Sequence, residues 1–195
     1  MLRIVLNYKP LLWLILAIPA VIMIYGFVSG RIDAIDLLHP SGEFSARLMI
    51  MAMMIGPLIS LFGNKGALVW LMQRRRNLGV AAFGYALLHL VFYVIDMGTL
   101  KDMLAEITEL GIWTGWLATI AMMIPAVISN DASVRKLKRM WKRIQQLVYP
   151  AAVLTLLHWV FIDNDLGPAL VNFALLILLY TACFATAIFR STKGA

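Results

Sequence analysis

Charged residues are scarce in this sequence: they make up 14% of its 195 residues, while 62% are hydrophobic. Because a soluble globular domain carries about 25% charged residues, the composition excludes an ordinary soluble protein. Cys183 is the single cysteine, so neither an intrachain disulfide nor a cysteine-based metal site is available. The sequence also lacks a dinucleotide fingerprint of the GxGxxG type. Oxidation of a flavin or nicotinamide is therefore expected on another protein or at a site without a sequence signature.

Six apolar segments are long enough to cross about 30 Å of hydrocarbon. They lie at about residues 10–28, 44–62, 78–95, 112–129, 145–162 and 168–189. The segments predict an all-α integral membrane protein, a six-helix bundle that forms a single domain over residues 1–195. The first segment exceeds the length of about 7 to 15 residues that is usual for the apolar part of a signal peptide. We therefore expect it to be a retained helix.

The positions of lysine and arginine predict the orientation, since these residues accumulate on the cytoplasmic side of a membrane. One group lies in the N-terminus, the tail, and the loops after the second and fourth segments: Arg3, Lys9, Lys65, Arg74, Arg75, Arg76, Arg135, Lys136, Lys138, Arg139, Lys142, Arg143, Arg190 and Lys193. The other three loops are rich in aspartate and glutamate. Both termini should thus be cytoplasmic. Topology and the lipid bilayer account for the net charge of +7, so no nucleic-acid partner is expected.

Two of the three histidines lie inside apolar segments, His89 in GVAAFGYALLHLVFYVID and His158 in QLVYPAAVLTLLHWVFID. With a rise of about 1.5 Å per residue, both lie at similar depth in the outer half of the bilayer. Ionisable residues in membrane segments are costly and usually functional. Two neutral imidazoles at matched depth can supply both axial ligands of a heme iron. The alternative is that each histidine is only hydrogen-bonded to a neighbouring backbone.

Small residues lie below both histidines on the same helix faces, and Ala86 and Ala82 are examples. They leave space for a flat macrocycle, but they are also typical of close-packed membrane helices. His39, in LLHPSGEF, is expected near the outer opening of the site, either bound to a heme propionate or as an ordinary loop residue. Arg47 is expected either to pair with a propionate or to extend to lipid headgroups.

Two stretches, RRRNLGVAAFGYALLHLVFY and SVRKLKRMWKRIQQLVYPAAVLTLLHW, resemble the ferric reductase-like transmembrane family. The resemblance covers nearly the whole chain, and its matching positions are His39, Gly42, Arg75, Leu78, Gly79, His89, Trp141, Tyr149 and His158. It implies a b-type cytochrome that takes electrons from a cytoplasmic flavoprotein, such as a flavin reductase, or from a quinol. For the most similar branch of the family, it implies a periplasmic molybdopterin methionine sulfoxide reductase as the acceptor.

One family position differs. Where the family has a further histidine that helps to hold heme near the cytoplasm, this chain has Gln145. Glutamine is a poor heme ligand, so we expect one heme b per chain. Its iron would lie roughly 20 Å from the cytoplasmic face, which makes FMN or a quinone a candidate intermediate carrier. Tyr85, Tyr149 and Trp141 are expected either to line that carrier site or to be ordinary packing residues.

The competing interpretation is a non-redox membrane protein, such as a transporter or an assembly subunit, that keeps the six helices with a reduced cofactor set. Reduced heme bands in the visible spectrum of the purified protein would favour the cytochrome, and a featureless spectrum would favour the alternative.

Overall fold

The structure, a computed structural model, describes residues 9–193, and side chains for residues 10–189. Over this range the chain forms nine helices and no strand. They are α1 (Lys9–Val28), α2 (Ala34–Phe62), α3 (Gly66–Met97), α4 (Leu100–Ala105), α5 (Leu110–Val127), α6 (Asp131–Leu137), α7 (Arg139–Gln145), α8 (Val148–Asp163) and α9 (Leu166–Lys193). Six spans are long and apolar enough to cross a membrane, with α7 and α8 together forming the fifth. The predicted all-α six-helix membrane fold is confirmed.

Two helices begin well before the apolar segments that predicted them. α2 begins at Ala34 rather than near residue 44, and α3 begins at Gly66 rather than near residue 78. Hydropathy marks the part of a helix that lies in hydrocarbon, whereas hydrogen bonding continues into the polar region. His39 therefore lies in a helix, and its interpretation as a loop residue is wrong. Arg74 likewise lies within α3 rather than in a loop.

The helices pack most closely in two pairs, α2 with α3 and α5 with α8. Small residues allow this approach. Ala46 and Ala82 are almost completely buried in the first pair, and Ala151 is completely buried on α8. At Gly111 of α5, a Cβ atom would lie 2.8 Å from Cδ1 of Ile162 on α8. Each helix pair carries one of the two intramembrane histidines.

A tyrosine hydroxyl attaches α1 to the bundle. The Tyr85 hydroxyl donates to the Leu16 carbonyl oxygen at 2.7 Å and accepts from the Ala20 amide at 3.0 Å. In an uninterrupted α-helix, the amide of residue 20 donates directly to the carbonyl of residue 16. The hydroxyl thus bridges the amide and the carbonyl of one helical turn beside Pro19, and it links α3 to α1.

Ion pairs connect charged residues near both ends of the bundle. Arg76, three turns into α3, binds Asp131 at the start of α6 at 2.7 Å. At the other end, Nε2 of His39 lies 3.9 Å from Asp163. The cytoplasmic location of both termini stays a prediction. Among the basic residues used for it, Arg3 and the side chains of Lys9, Arg190 and Lys193 lie outside the described residues.

Candidate functional site

His89 of α3 and His158 of α8 face each other inside the bundle. Their ring centroids lie 6.1 Å apart, and the ring planes are nearly perpendicular, at 84°. A metal ion held by one nitrogen of each imidazole at about 2 Å would place the ring centroids about 6 to 6.5 Å apart. The separation therefore fits one metal centre shared by the two helix pairs.

Hydrogen bonds fix the tautomer of both imidazoles. Nδ1 of His89 lies 2.9 Å from the Leu38 carbonyl oxygen, and Nδ1 of His158 lies 2.7 Å from the Gly111 carbonyl oxygen. A carbonyl only accepts, so each Nδ1 carries the proton and each Nε2 has a free lone pair. This is the arrangement in which metal-binding histidines are usually held.

Two glycines make room for the imidazoles beside these carbonyls. A Cβ at Gly115 of α5 would lie 2.7 Å from Nδ1 of His158, and a Cβ at Gly42 of α2 would lie 3.1 Å from Nδ1 of His89. Ordinary carbon contacts begin at 3.4 Å. Any side chain at Gly115 would therefore push the ring away from its carbonyl partner.

A cavity of about 380 Å³ surrounds the histidines, within the range of about 300–1,000 Å³ that is typical of cofactor sites. Its lining residues include Ala86, Ala118 and Thr155. Among the described residues, no group of three or more histidine, cysteine, aspartate or glutamate side chains can hold a metal ion. A bare ion would thus find too few protein ligands, whereas heme brings four equatorial nitrogens of its own. The donor set fits a heme.

His39 also lines this cavity. Its side chain is 58% exposed, and its ring meets the ring of Trp159 edge to face at 5.9 Å. Arg47 is placed differently: it is bound by Glu43 on its own helix and by Asn172 of α9, 3.1 Å away. It is not among the residues that line the cavity. The propionate roles of both residues stay predictions.

A second cavity, of about 400 Å³, lies toward the other end of the bundle. Gln145 lines it, and its amide nitrogen donates to the Pro125 carbonyl at 3.0 Å and contacts the Ser129 hydroxyl at 3.1 Å. Trp141 and Tyr149 line it, whereas Tyr85 does not, because the Tyr85 hydroxyl is bound to α1. A carrier site lined by these residues stays a prediction.

The sequence matches a family model described as "Ferric reductase like transmembrane component" over residues 41–156. The chain belongs to the ferric reductase-like transmembrane family. The matched region contains His89 and ends two residues before His158. Together with the six membrane spans and the relatives described next, family membership makes the chain a multi-pass bacterial inner-membrane protein with an electron-transfer role.

Similar curated proteins in this family are called protein-methionine-sulfoxide reductase heme-binding subunit MsrQ. The one from Xanthomonas oryzae pv. oryzae (strain MAFF 311018) is 32% identical over 170 residues, which cover 85% of this chain and 76% of the relative. The one from Brucella ovis is 32% identical over 157 residues, which cover 76% of this chain and 69% of the relative. No solved structure matches the chain.

The family resemblance did not reveal the contribution of α5, which sequence reasoning missed. α5 supplies the carbonyl of Gly111 and the space at Gly115. These two residues form a Gly-x-x-x-Gly pattern, GIWTG, which is the usual signal for close approach of membrane helices. That pattern indicates a packing face, but it does not say that an imidazole fills it.

Proposed function

We propose that this chain is a membrane b-type cytochrome that takes electrons on the cytoplasmic side and delivers them to a periplasmic acceptor. His89 and His158 are the axial ligands of heme b in this proposal. The observation that carries it is the pair of facing imidazoles, 6.1 Å apart, whose Nδ1 groups are both bound by backbone carbonyls. When bound, heme supplies a one-electron carrier whose potential is set by its axial ligands and its surroundings.

The chain is proposed to bind one heme rather than two. The second cavity offers Gln145 where the family has a histidine, and the amide nitrogen of Gln145 is already bound to α5. The third histidine, His39, lies at the opposite end of the bundle, on the cavity of His89 and His158. The second cavity therefore has no imidazole to offer an iron.

The second cavity is instead proposed to hold FMN or a quinone as the inner carrier. Its interior is apolar, with Met53 and Met122 among its lining residues, while Arg75 and Lys142 lie at its edge. The indole nitrogen of Trp141 is bound to the Ile128 carbonyl at 3.0 Å. The cationic side chains are then the main donors for a polar group, which suits the phosphate of a flavin. The proposed electron donor is a cytoplasmic flavoprotein, such as a flavin reductase, or a quinol.

The proposed acceptor is a periplasmic methionine sulfoxide reductase with a molybdopterin cofactor. Support comes from the relatives, which are called heme-binding subunits of a protein-methionine-sulfoxide reductase. It also comes from the exposed His39, which lies on the histidine cavity at the outer end of the bundle. His39 is proposed to bind a heme propionate there. Arg47 is proposed to bind a propionate only if its contacts with Glu43 and Asn172 are broken.

The test is a visible spectrum and a pyridine hemochrome assay on the purified full-length protein. The proposal expects low-spin b-type bands and one heme per chain. Two hemes per chain would contradict the assignment of Gln145, and a protein that takes up no heme when heme is supplied would support the non-redox alternative.

A further inference from the structure

The carbonyl that each imidazole binds also shares a hydroxyl proton with the carbonyl of the residue before it, and this is repeated in both helix pairs. The Ser41 hydroxyl lies 2.6 Å from the Leu37 carbonyl oxygen, 3.0 Å from that of Leu38 and 3.4 Å from Nδ1 of His89 itself. The Thr114 hydroxyl lies 2.7 Å from the Leu110 carbonyl oxygen and 2.9 Å from that of Gly111. Leu38 and Gly111 are the two carbonyls to which the histidines donate.

The two arrangements have the same spacing along the chain. In each helix the hydroxyl residue is three positions after the carbonyl residue, and the glycine is four positions after it. These residues are Leu38, Ser41 and Gly42 in α2, and Gly111, Thr114 and Gly115 in α5. In an α-helix, the amide of that fourth residue also points to the same carbonyl. Each oxygen thus has three donors around it, and the glycine leaves space for the imidazole to be one of them.

Sharing an acceptor weakens each of the bonds that it accepts. A histidine that donates Nδ1–H to a strong acceptor becomes a more basic ligand through Nε2, and a more basic axial ligand favours the ferric state. A hydroxyl that donates to the same carbonyl makes that carbonyl a weaker acceptor for Nδ1–H, and therefore reduces the gain in basicity of the imidazole. The Ser41 side chain is completely buried and Thr114 is 7% exposed, so water does not replace these contacts readily.

We propose that Ser41 and Thr114 are positioning residues that set the electron-donor strength of His89 and His158, by sharing the carbonyl oxygens that the imidazoles bind. The inference rests on the proposed heme ligation. The two hydroxyl groups should change the reduction potential of the heme but not the binding of heme, whereas residues with a purely structural role would change binding.

The test is a spectroelectrochemical titration of the full-length protein in detergent, with Ser41→Ala and Thr114→Val. Both should keep the low-spin spectrum and shift the ferric-to-ferrous ratio at a fixed potential toward ferric, by up to about tenfold, which is about 59 mV for one electron. Thr114→Ser keeps the hydroxyl and should restore the wild-type value.

A matched control removes the same kind of bond where no histidine shares the carbonyl. In α9, the Thr181 hydroxyl donates to the Leu178 carbonyl at 2.9 Å, so Thr181→Val should leave the potential unchanged. Unshifted potentials in both Ser41→Ala and Thr114→Val would overturn the inference. So would an equal shift in Thr114→Ser and Thr114→Val, or loss of low-spin heme in Thr114→Val. Wild-type protein that takes up no heme would instead refute the proposed function.

Discussion

Substitution of Gly115 by alanine tests the histidine site at its tightest point. The new Cβ would lie 2.7 Å from Nδ1 of His158, whereas ordinary contact begins at 3.4 Å, so the ring reaches ordinary contact by a retreat of 3.4 − 2.7 = 0.7 Å. Because the bound carbonyl of Gly111 is on the same helix, a retreat of this size away from that helix stretches the 2.7 Å hydrogen bond beyond the usual limit of about 3.2 Å. An unsatisfied buried donor costs about 1–3 kcal/mol, and the gain from replacing glycine in a helix, about 0.5–1 kcal/mol, offsets only part of it.

The expected result is a weaker heme site, with heme affinity reduced roughly 10- to 100-fold, as for other substitutions around metal ligands. Heme titration of the purified protein, followed in the Soret band, measures it. Gly84→Ala on α3 is the matched control, because its Cβ would meet nothing within 4 Å, and it should bind heme like the wild type. Gly42→Ala, with a Cβ 3.1 Å from His89, should lie between the two. A wild-type titration curve for Gly115→Ala would refute the assigned geometry.

Three further predictions concern the ligands, the first helix and the topology. His89→Ala and His158→Ala should each abolish low-spin heme, because each removes one axial ligand; a low-spin spectrum in either variant would show that another residue binds the iron. Tyr85→Phe should lower the free energy of unfolding by about 0.5–1.5 kcal/mol, because the hydrogen bonds of the hydroxyl to the Leu16 carbonyl and the Ala20 amide are lost while those two groups can still pair within α1; unchanged thermal stability in detergent would contradict the bridging role of the hydroxyl. Reporter fusions after Arg75 and Lys138 should both report the cytoplasm, and a periplasmic signal at Lys138 would overturn the topology.

The pairing of His89 with His158 could be predicted from sequence because their matched depth and the family resemblance point to the same two residues. A polar residue in a long apolar segment has a depth set by counting, and two at similar depth are candidates to meet. The separation of basic and acidic loops was equally accessible, because it is read from residue types along the chain.

The rest of the site depends on neighbours and on backbone atoms. The partners of the two imidazoles are carbonyl oxygens of Leu38 and Gly111, and every residue has such an oxygen, so no residue type reveals them. Arg47 contacts Asn172, 125 positions away in the chain, and only the packing of α9 on α2 decides that contact. The start of α2 was misplaced because Asp36 and the Pro40–Glu43 stretch interrupt the apolar residues of its first turns, so that His39 lay outside the apolar segment.

The division of the bundle into two helix pairs has a consequence for its assembly in the membrane. α2 and α3 complete the hydrogen bond of His89 without the other pair, and α5 and α8 do the same for His158. Each hairpin can therefore orient its own ligand as soon as its two helices have been inserted, before the second hairpin leaves the insertion machinery. An iron bound by both imidazoles then links two preformed halves at their interface. The last step of maturation is then the association of the two helix pairs. A chain without its cofactor should fluctuate more in the distance between α3 and α8 than in the distances within either pair.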